Sequence, residues 1–195
     1  MNTLFIDVET TGLDLDKNSV IQIACSYYTG TTLVTSFEGK FPIRQNTIVD
    51  LGALQVNKFN YQELPNFHDS IDQLVEFLLK LPQNKEDPIL LAGHNVSFDI
   101  LALKKLLKSY NIEGVDRLFS YRVIDTSTIG EFLRQTGVIK LSRMSLANLA
   151  KALEIEVDET KTHKADYDIE LTAKCYFKMI EKVEALTKKE PEVKV

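Results

Sequence analysis

Apolar and polar positions change period several times along the chain, and each change marks an element. Residues 3–9 are mostly apolar and residues 20–25 form a second apolar run; both read as strands. Polar residues and a glycine at 28–32 predict a turn into a third strand at 33–37, so the chain opens as an antiparallel meander. From Ile71 onward, Leu74, Val75, Leu78 and Leu79 recur at helical spacing until Pro82 stops them. A short apolar strand at 89–92 gives way to a helix with Ile100, Leu103, Leu107 and Tyr110 on one face. Residues 123–126 predict another strand, followed by two helices. The second helix has Leu146, Leu149, Ala150 and Leu153 as its stripe and Ser145 as its N-cap. A last helix over about 165–186 would turn Ile169, Ala173, Tyr176, Ile180 and Val183 inward, and the charged residues 187–195 read as a disordered tail.

A hairpin unit followed by strand–helix units predicts an α/β fold, a mixed five-stranded sheet flanked by helices. With 195 residues, 44% of them apolar, and no break in composition, one domain over 1–186 is expected. The net charge of −5 argues against a protein that coats nucleic acid by bulk electrostatics. Basic residues that could follow a short phosphate backbone are Lys104, Lys105 and Lys108, then Arg134, Lys140 and Arg143, then Lys161 and Lys164. Cys25 and Cys175 are too few for a disulfide framework or a zinc site, and both are expected in or near the core of a cytoplasmic protein. Neither a signal core nor a run of eighteen apolar residues is present, so no membrane insertion is expected.

Three acidic motifs change this picture. Asp7 and Glu9, two positions apart in the first strand, point the same way, and two adjacent carboxylates call for a hard cation such as Mg²⁺ or Mn²⁺. Acidic residues at a strand end commonly cap a turn or face water, so the pair gains its weight from two further motifs downstream in the chain. Gly93-His94-Asn95-Val96-Ser97-Phe98-Asp99 places a third carboxylate where a strand meets a helix. His163-Lys164-Ala165-Asp166-Tyr167-Asp168 adds a histidine and another carboxylate at the start of the last helix. On one continuous helix His163 and Asp168 would diverge by about 140°. The spacing therefore predicts the histidine on a mobile loop and Asp168 in the helix, the polar Thr160-Lys161-Thr162 marking the loop. Asp166, two residues before Asp168, is a competing carboxylate.

The ordered set Asp-x-Glu-Thr-Thr-Gly, His-Asn-x-x-Phe-Asp and His-x-Ala-x-x-Asp resembles the DEDDh branch of the DnaQ-like 3′→5′ exonucleases, including proofreading subunits of the polymerase III epsilon type and RNase T-like enzymes. The likeness covers residues 4–180 and includes Asp125-Thr126. It implies an RNase H-like fold and a metal-dependent exonuclease that releases nucleoside 5′-monophosphates from the 3′ end of single-stranded DNA or RNA. Two divalent ions would be held by Asp7, Glu9, Asp99 and Asp168. Asp7 would bridge them, Glu9 and Asp168 would complete the nucleophile-side ion, Asp99 would hold the other through water, and His163 would be the general base. By the same resemblance Thr10, Thr11, Gly12, Leu13, Leu54, Asn57, Phe59, Asn95 and Phe98 would meet the substrate. Lys58-Phe59 departs from the family's usual small-plus-aliphatic ending there. A separate polymerase subunit is a partner the resemblance allows. The alternative is a non-catalytic nucleic-acid- or polymerase-binding module of the same fold. An RNase H-type endonuclease would not be expected to carry the second and third motifs together. DNA or RNA preference, oligomeric state and biological role are not fixed by these residues.

Overall fold

A computed structural model describes residues 1–82, 84 and 86–188 of the chain. Five strands, β1 (Asn2–Thr10), β2 (Val20–Thr29), β3 (Thr32–Lys40), β4 (Ile89–Gly93) and β5 (Phe119–Asp125), form one sheet in the order β3-β2-β1-β4-β5. β1, β2 and β3 are antiparallel neighbours, while β1–β4 and β4–β5 are parallel, so the sheet is mixed as the pattern predicts. The helices are α1 (Leu51–Asn57), α2 (Ile71–Lys80), α3 (Val96–Ser109), α4 (Thr126–Gln135), α5 (Leu146–Ala152) and α6 (Ala165–Thr187).

Strand β1 lies at the centre of the sheet and is covered on both faces, which accounts for its near-continuous apolar sequence. Its even residues Leu4, Ile6 and Val8 join a core with Leu74 and Leu78 of α2 and Leu103 and Leu107 of α3. On the other face Phe5 meets Ala165, Ile169, Ala173 and Tyr176 of α6. The small residues Ala24, Ala92, Ala165 and Ala173 leave room there for Phe5, Tyr28, Tyr176 and Phe177, whose ring centroids are 5.4 to 6.0 Å apart. A third cluster, with Leu133, Leu149, Leu153, Leu171 and Met179, seals α4 and α5 against the outer side of α6. Both cysteines are buried and unbridged.

Several local expectations are corrected. The strands run through Tyr28 and Thr29 and resume at Thr32, leaving only Gly30 and Thr31 as the turn. β5 begins at Phe119, four residues early, because as an edge strand it carries exposed Tyr121 and Arg122 that hide its period. Thr126 belongs to α4, capped by the Asp125 carboxylate. Leu79, Ile180 and Val183 are exposed; the inward stripe of α6 ends at Met179, where the helix outruns its partners. Of the expected tail, Thr187 is helical and Lys188 caps α6, and 189–195 lie outside the described residues. No helix among the described residues is long and apolar enough to cross a membrane.

Candidate active site

Asp7 and Glu9 continue the face of β1 that carries Phe5, so α6 decides what happens above them. That helix starts at Ala165, and Asp168 in its first turn reaches the same spot. Carboxylate oxygens of Asp7, Glu9 and Asp168 lie within 4.8 Å of one another. Asp99 approaches from the first turn of α3, and its Oδ1 accepts the Val8 backbone N–H at 3.0 Å. Gly93 lets that helix come close, since a Cβ there would sit 3.0 Å from the Ile6 carbonyl oxygen and 2.9 Å from Val96 Cγ2. Asp166 lies on the other side of the helix entrance, lining a separate cavity with Ser26 and Glu38.

Burial and mutual repulsion hold protons on these acids. Glu9 is pushed up to about 8, first by desolvation and then by Asp168 and Asp99. Asp99 rises to about 7 by desolvation, against the pull of the backbone N–H groups it accepts. Asp7 is raised by burial and then by Asp99, Glu9 and Asp168, and Asp168 by burial against the His163 N–H and the charges of His163 and Lys58. Among the described residues none of the ion pairs includes any of the four. Hard oxygen donors this close, which give up their protons only reluctantly unless a cation takes their place, fit a hard divalent cation.

His163 lies in the loop before α6, as the spacing predicts, and is exposed with a left-handed φ of 63°. Its backbone N–H donates to Asp168 Oδ2 at 3.0 Å, which ties the loop to the carboxylate cluster. Lys58, at the left-handed C-cap of α1, donates from Nζ to the carbonyls of Thr162 at 2.6 Å and Thr160 at 3.3 Å.

A cavity of about 340 Å³ opens beside Glu9 and is lined by Val8, Thr10, Gly12, Leu13, Ala53, Val56, Asn57 and Phe98, among others. Leu13 and Val56 are exposed, apolar side chains in its wall. Of the residues expected to meet substrate, Thr10, Gly12, Leu13, Asn57 and Phe98 line it. Thr11 is fully buried; its hydroxyl donates to the Ile48 carbonyl and accepts the Ser19 N–H. Thr10 Oγ1 is likewise engaged, with the Gly12 carbonyl at 2.7 Å. Leu54 points into a core with Ile21 and Leu64, and Phe59 stacks edge-on with Phe67 at 5.6 Å, so both build the support of α1. Asn95 takes the left-handed position before α3, its N–H held by Asp125 Oδ1 at 3.0 Å, and is not in the cavity wall.

Residues outside the motifs complete the scaffold. Asn18 packs on Gly12, bonds the Ile48 carbonyl at 2.7 Å and accepts the Asp14 N–H at 2.9 Å, so it braces the Thr-Thr-Gly turn. Asn57 bonds the Thr10 carbonyl at 3.0 Å and moors α1 to the end of β1. Thr126 Oγ1 joins the Gly93 carbonyl and His94 Nδ1, both at 3.1 Å, which locks the second motif to α4. Asn57 and Thr126 lie in segments that the family resemblance singled out, whereas only its place as a polar residue next to a turn hinted at Asn18. Of the basic residues, Lys105 pairs with Asp16, Arg134 with Glu131 and Lys161 with Asp158.

Comparison with known proteins agrees with this geometry. The profile of the exonuclease family RNase_T matches residues 4–176. The 3'-5' exonuclease DinG of Staphylococcus aureus strain USA300 is 29% identical over 184 residues, and that of strain bovine RF122 is 30% identical over 185. Each alignment covers 93% of this chain, which spans only 18% of the length of those relatives. Among solved structures, E. coli exonuclease I in complex with a dT13 oligonucleotide superposes with a TM-score of 0.73 at 16% identity, covering 96% of this chain and 42% of that one. The cell-death related nuclease CRN-4 gives 0.71 at 18%, covering 92% and 64%. These likenesses identify the mixed sheet flanked by helices as the RNase H-like fold.

Proposed function

The chain belongs to the exonuclease family, and from that premise we propose that it is a metal-dependent 3′→5′ exonuclease acting on single-stranded nucleic acid and releasing nucleoside 5′-monophosphates. The observation that carries the proposal is the convergence of Asp7, Glu9 and Asp168 within 4.8 Å beside a cavity walled by Leu13, Val56 and Phe98. Two Mg²⁺ or Mn²⁺ ions, held by those carboxylates together with Asp99, would supply positive charge to the scissile phosphate and lower the pKa of the attacking water. His163, on its loop beside Asp168, accepts the proton of that water as general base. The water oxygen bonds to phosphorus as the bond from phosphorus to the 3′-oxygen of the preceding nucleotide breaks, and the departing oxygen takes a proton from solvent, leaving a nucleoside 5′-monophosphate and a shortened strand with a new 3′-hydroxyl. The apolar wall of the cavity takes the face of the terminal base, a contact indifferent to base identity. Single-stranded DNA is the first substrate to test, since exonuclease I, which shares the fold, has been seen with such oligonucleotides.

The test is digestion of matched 5′-labelled single-stranded DNA and RNA with Mg²⁺ or Mn²⁺. A metal-dependent ladder shortening from the 3′ end is expected, with nucleoside monophosphates as product. Asp7→Ala and Asp168→Asn should lower kcat by about a thousandfold or more, and His163→Ala by about a hundredfold with metal binding kept. Asp166→Asn should stay within about threefold of the parent, because that carboxylate lines another cavity. Strands that are bound yet intact under all conditions would favour the binding-module reading instead.

A further inference from the structure

We propose that Lys58 is a positioning residue for the reaction, a latch that fixes the His163 loop to the helix forming the substrate cavity. The proposal rests on the exonuclease reading and extends it to a residue outside all three motifs. Two observations carry it. The Lys58 ammonium spans 102 and 104 residues of sequence to bond the carbonyls of Thr160 and Thr162, the segment immediately before His163. Lys58 itself is the C-cap of α1, the helix that gives Ala53, Val56 and Asn57 to the cavity wall.

The loop has further ties: Thr160 and Lys161 fold back on Asp158 through their N–H groups, the Asp158 N–H donates to the Tyr167 hydroxyl of α6 at 2.8 Å, Lys151 of α5 pairs with Glu159, and the His163 N–H reaches Asp168 of α6. These bonds stay within the loop or run to α5 and α6. Lys58 ties the loop to the cavity side of the site, where α1 is itself fixed by the bond from Asn57 to Thr10 and by Leu54 in the core. A left-handed C-cap accommodates glycine with the least strain, yet here it holds a side chain long enough to cross to the loop.

Lys58→Met keeps the alkyl stem and removes the donors; Lys58→Arg keeps the charge and the reach. Hydrogen exchange of the metal-free protein reads the latch without activity. Amides of residues 160–163 should exchange about tenfold faster in Lys58→Met and remain protected in Lys58→Arg. In turnover, Lys58→Met should lower kcat about tenfold while KM stays within about twofold, Lys58→Arg should recover most of the loss, and the loss should vanish in a His163→Ala background. Unchanged exchange at 160–163 would overturn the latch. A loss confined to KM, or one that persists without His163, would show Lys58 holding the strand and would overturn it equally. A wild-type protein without metal-dependent hydrolysis would sink the exonuclease reading, whereas the exchange result would still decide the latch.

Discussion

At the scale of single residues, the acids of the site work against the fold that presents them. Glu9 and Asp99 keep their protons to about 8 and about 7 in the folded chain, from ordinary values of 4.5 and 3.8. Below about pH 4 both states are protonated and these groups contribute nothing. As pH rises, the unfolded chain ionises first while the folded one still binds the proton, so the folded state loses stability through the window from about 4 to 8. Each tenfold gap in proton affinity corresponds to about 1.4 kcal/mol, enough to move a melting temperature measurably. The metal-free protein should therefore melt at lower temperature at pH 8 than at pH 5, and Mg²⁺ or Mn²⁺ should raise the melting temperature more at pH 8. Glu9→Gln should flatten the slope. Calorimetry in EDTA and in metal tests this directly; a metal-free protein that gains stability steadily from pH 5 to pH 8 would refute the account. The same acids were legible in the sequence, because a strand's twofold period puts Asp7 and Glu9 on one face without knowledge of the rest of the fold. Asn18 and Lys58 were not, since their partners lie 30 and 104 residues away and nothing in local spacing announces them.

At the scale of elements, α1 joins the cavity to the rest of the site. It is seven residues long, contains Gly52 and buries only Leu54, so it shows no apolar stripe. Its sequence drew attention only through the family likeness, which pointed to Leu54, Asn57 and Phe59; Asn57 lines the cavity, whereas the fold uses Leu54 and Phe59 as support. The apolar residues that face the cavity are Ala53 and Val56, and Val56 is 52% exposed. Val56→Asp places a negative charge where the terminal nucleotide and its phosphate would approach. The expected result is a KM raised about tenfold, a smaller change in kcat, and a melting temperature close to the parent's, since little of Val56 is withdrawn from water. Steady-state kinetics with a labelled oligonucleotide, alongside thermal melts, would check this. Elements were readable where burial was one-sided or complete, as in β1, α2, α5 and the first half of α6. They were misread where an element leaves the core, as at Ile180 and Val183, or sits at a sheet edge, as at Tyr121. Periodicity reports burial, and those segments have little of it.

At the scale of the whole molecule, the charge of −5 sets how this domain should hold a polyanion. Many of its cations are already spent: Lys17, Lys80, Lys105, Arg134, Lys151, Lys161, Lys174 and Lys178 are paired with carboxylates. Near the histidine loop, Lys164 takes part in no ion pair among the described residues, while Lys58 is engaged with the Thr160 and Thr162 carbonyls. With about one phosphate neutralised by a side chain there, the affinity for a single strand should fall with salt at a logarithmic slope of only about −1. A strand held so lightly should leave between cuts. Digestion in the presence of an unlabelled trap should therefore give a distributive ladder, in which most strands lose one nucleotide per encounter. The experiment measures KM over a series of salt concentrations at fixed Mg²⁺, together with product distribution after a single encounter. A slope steeper than about −4, or long runs of cleavage before release, would require a basic track that reaches well beyond the cations beside the histidine loop.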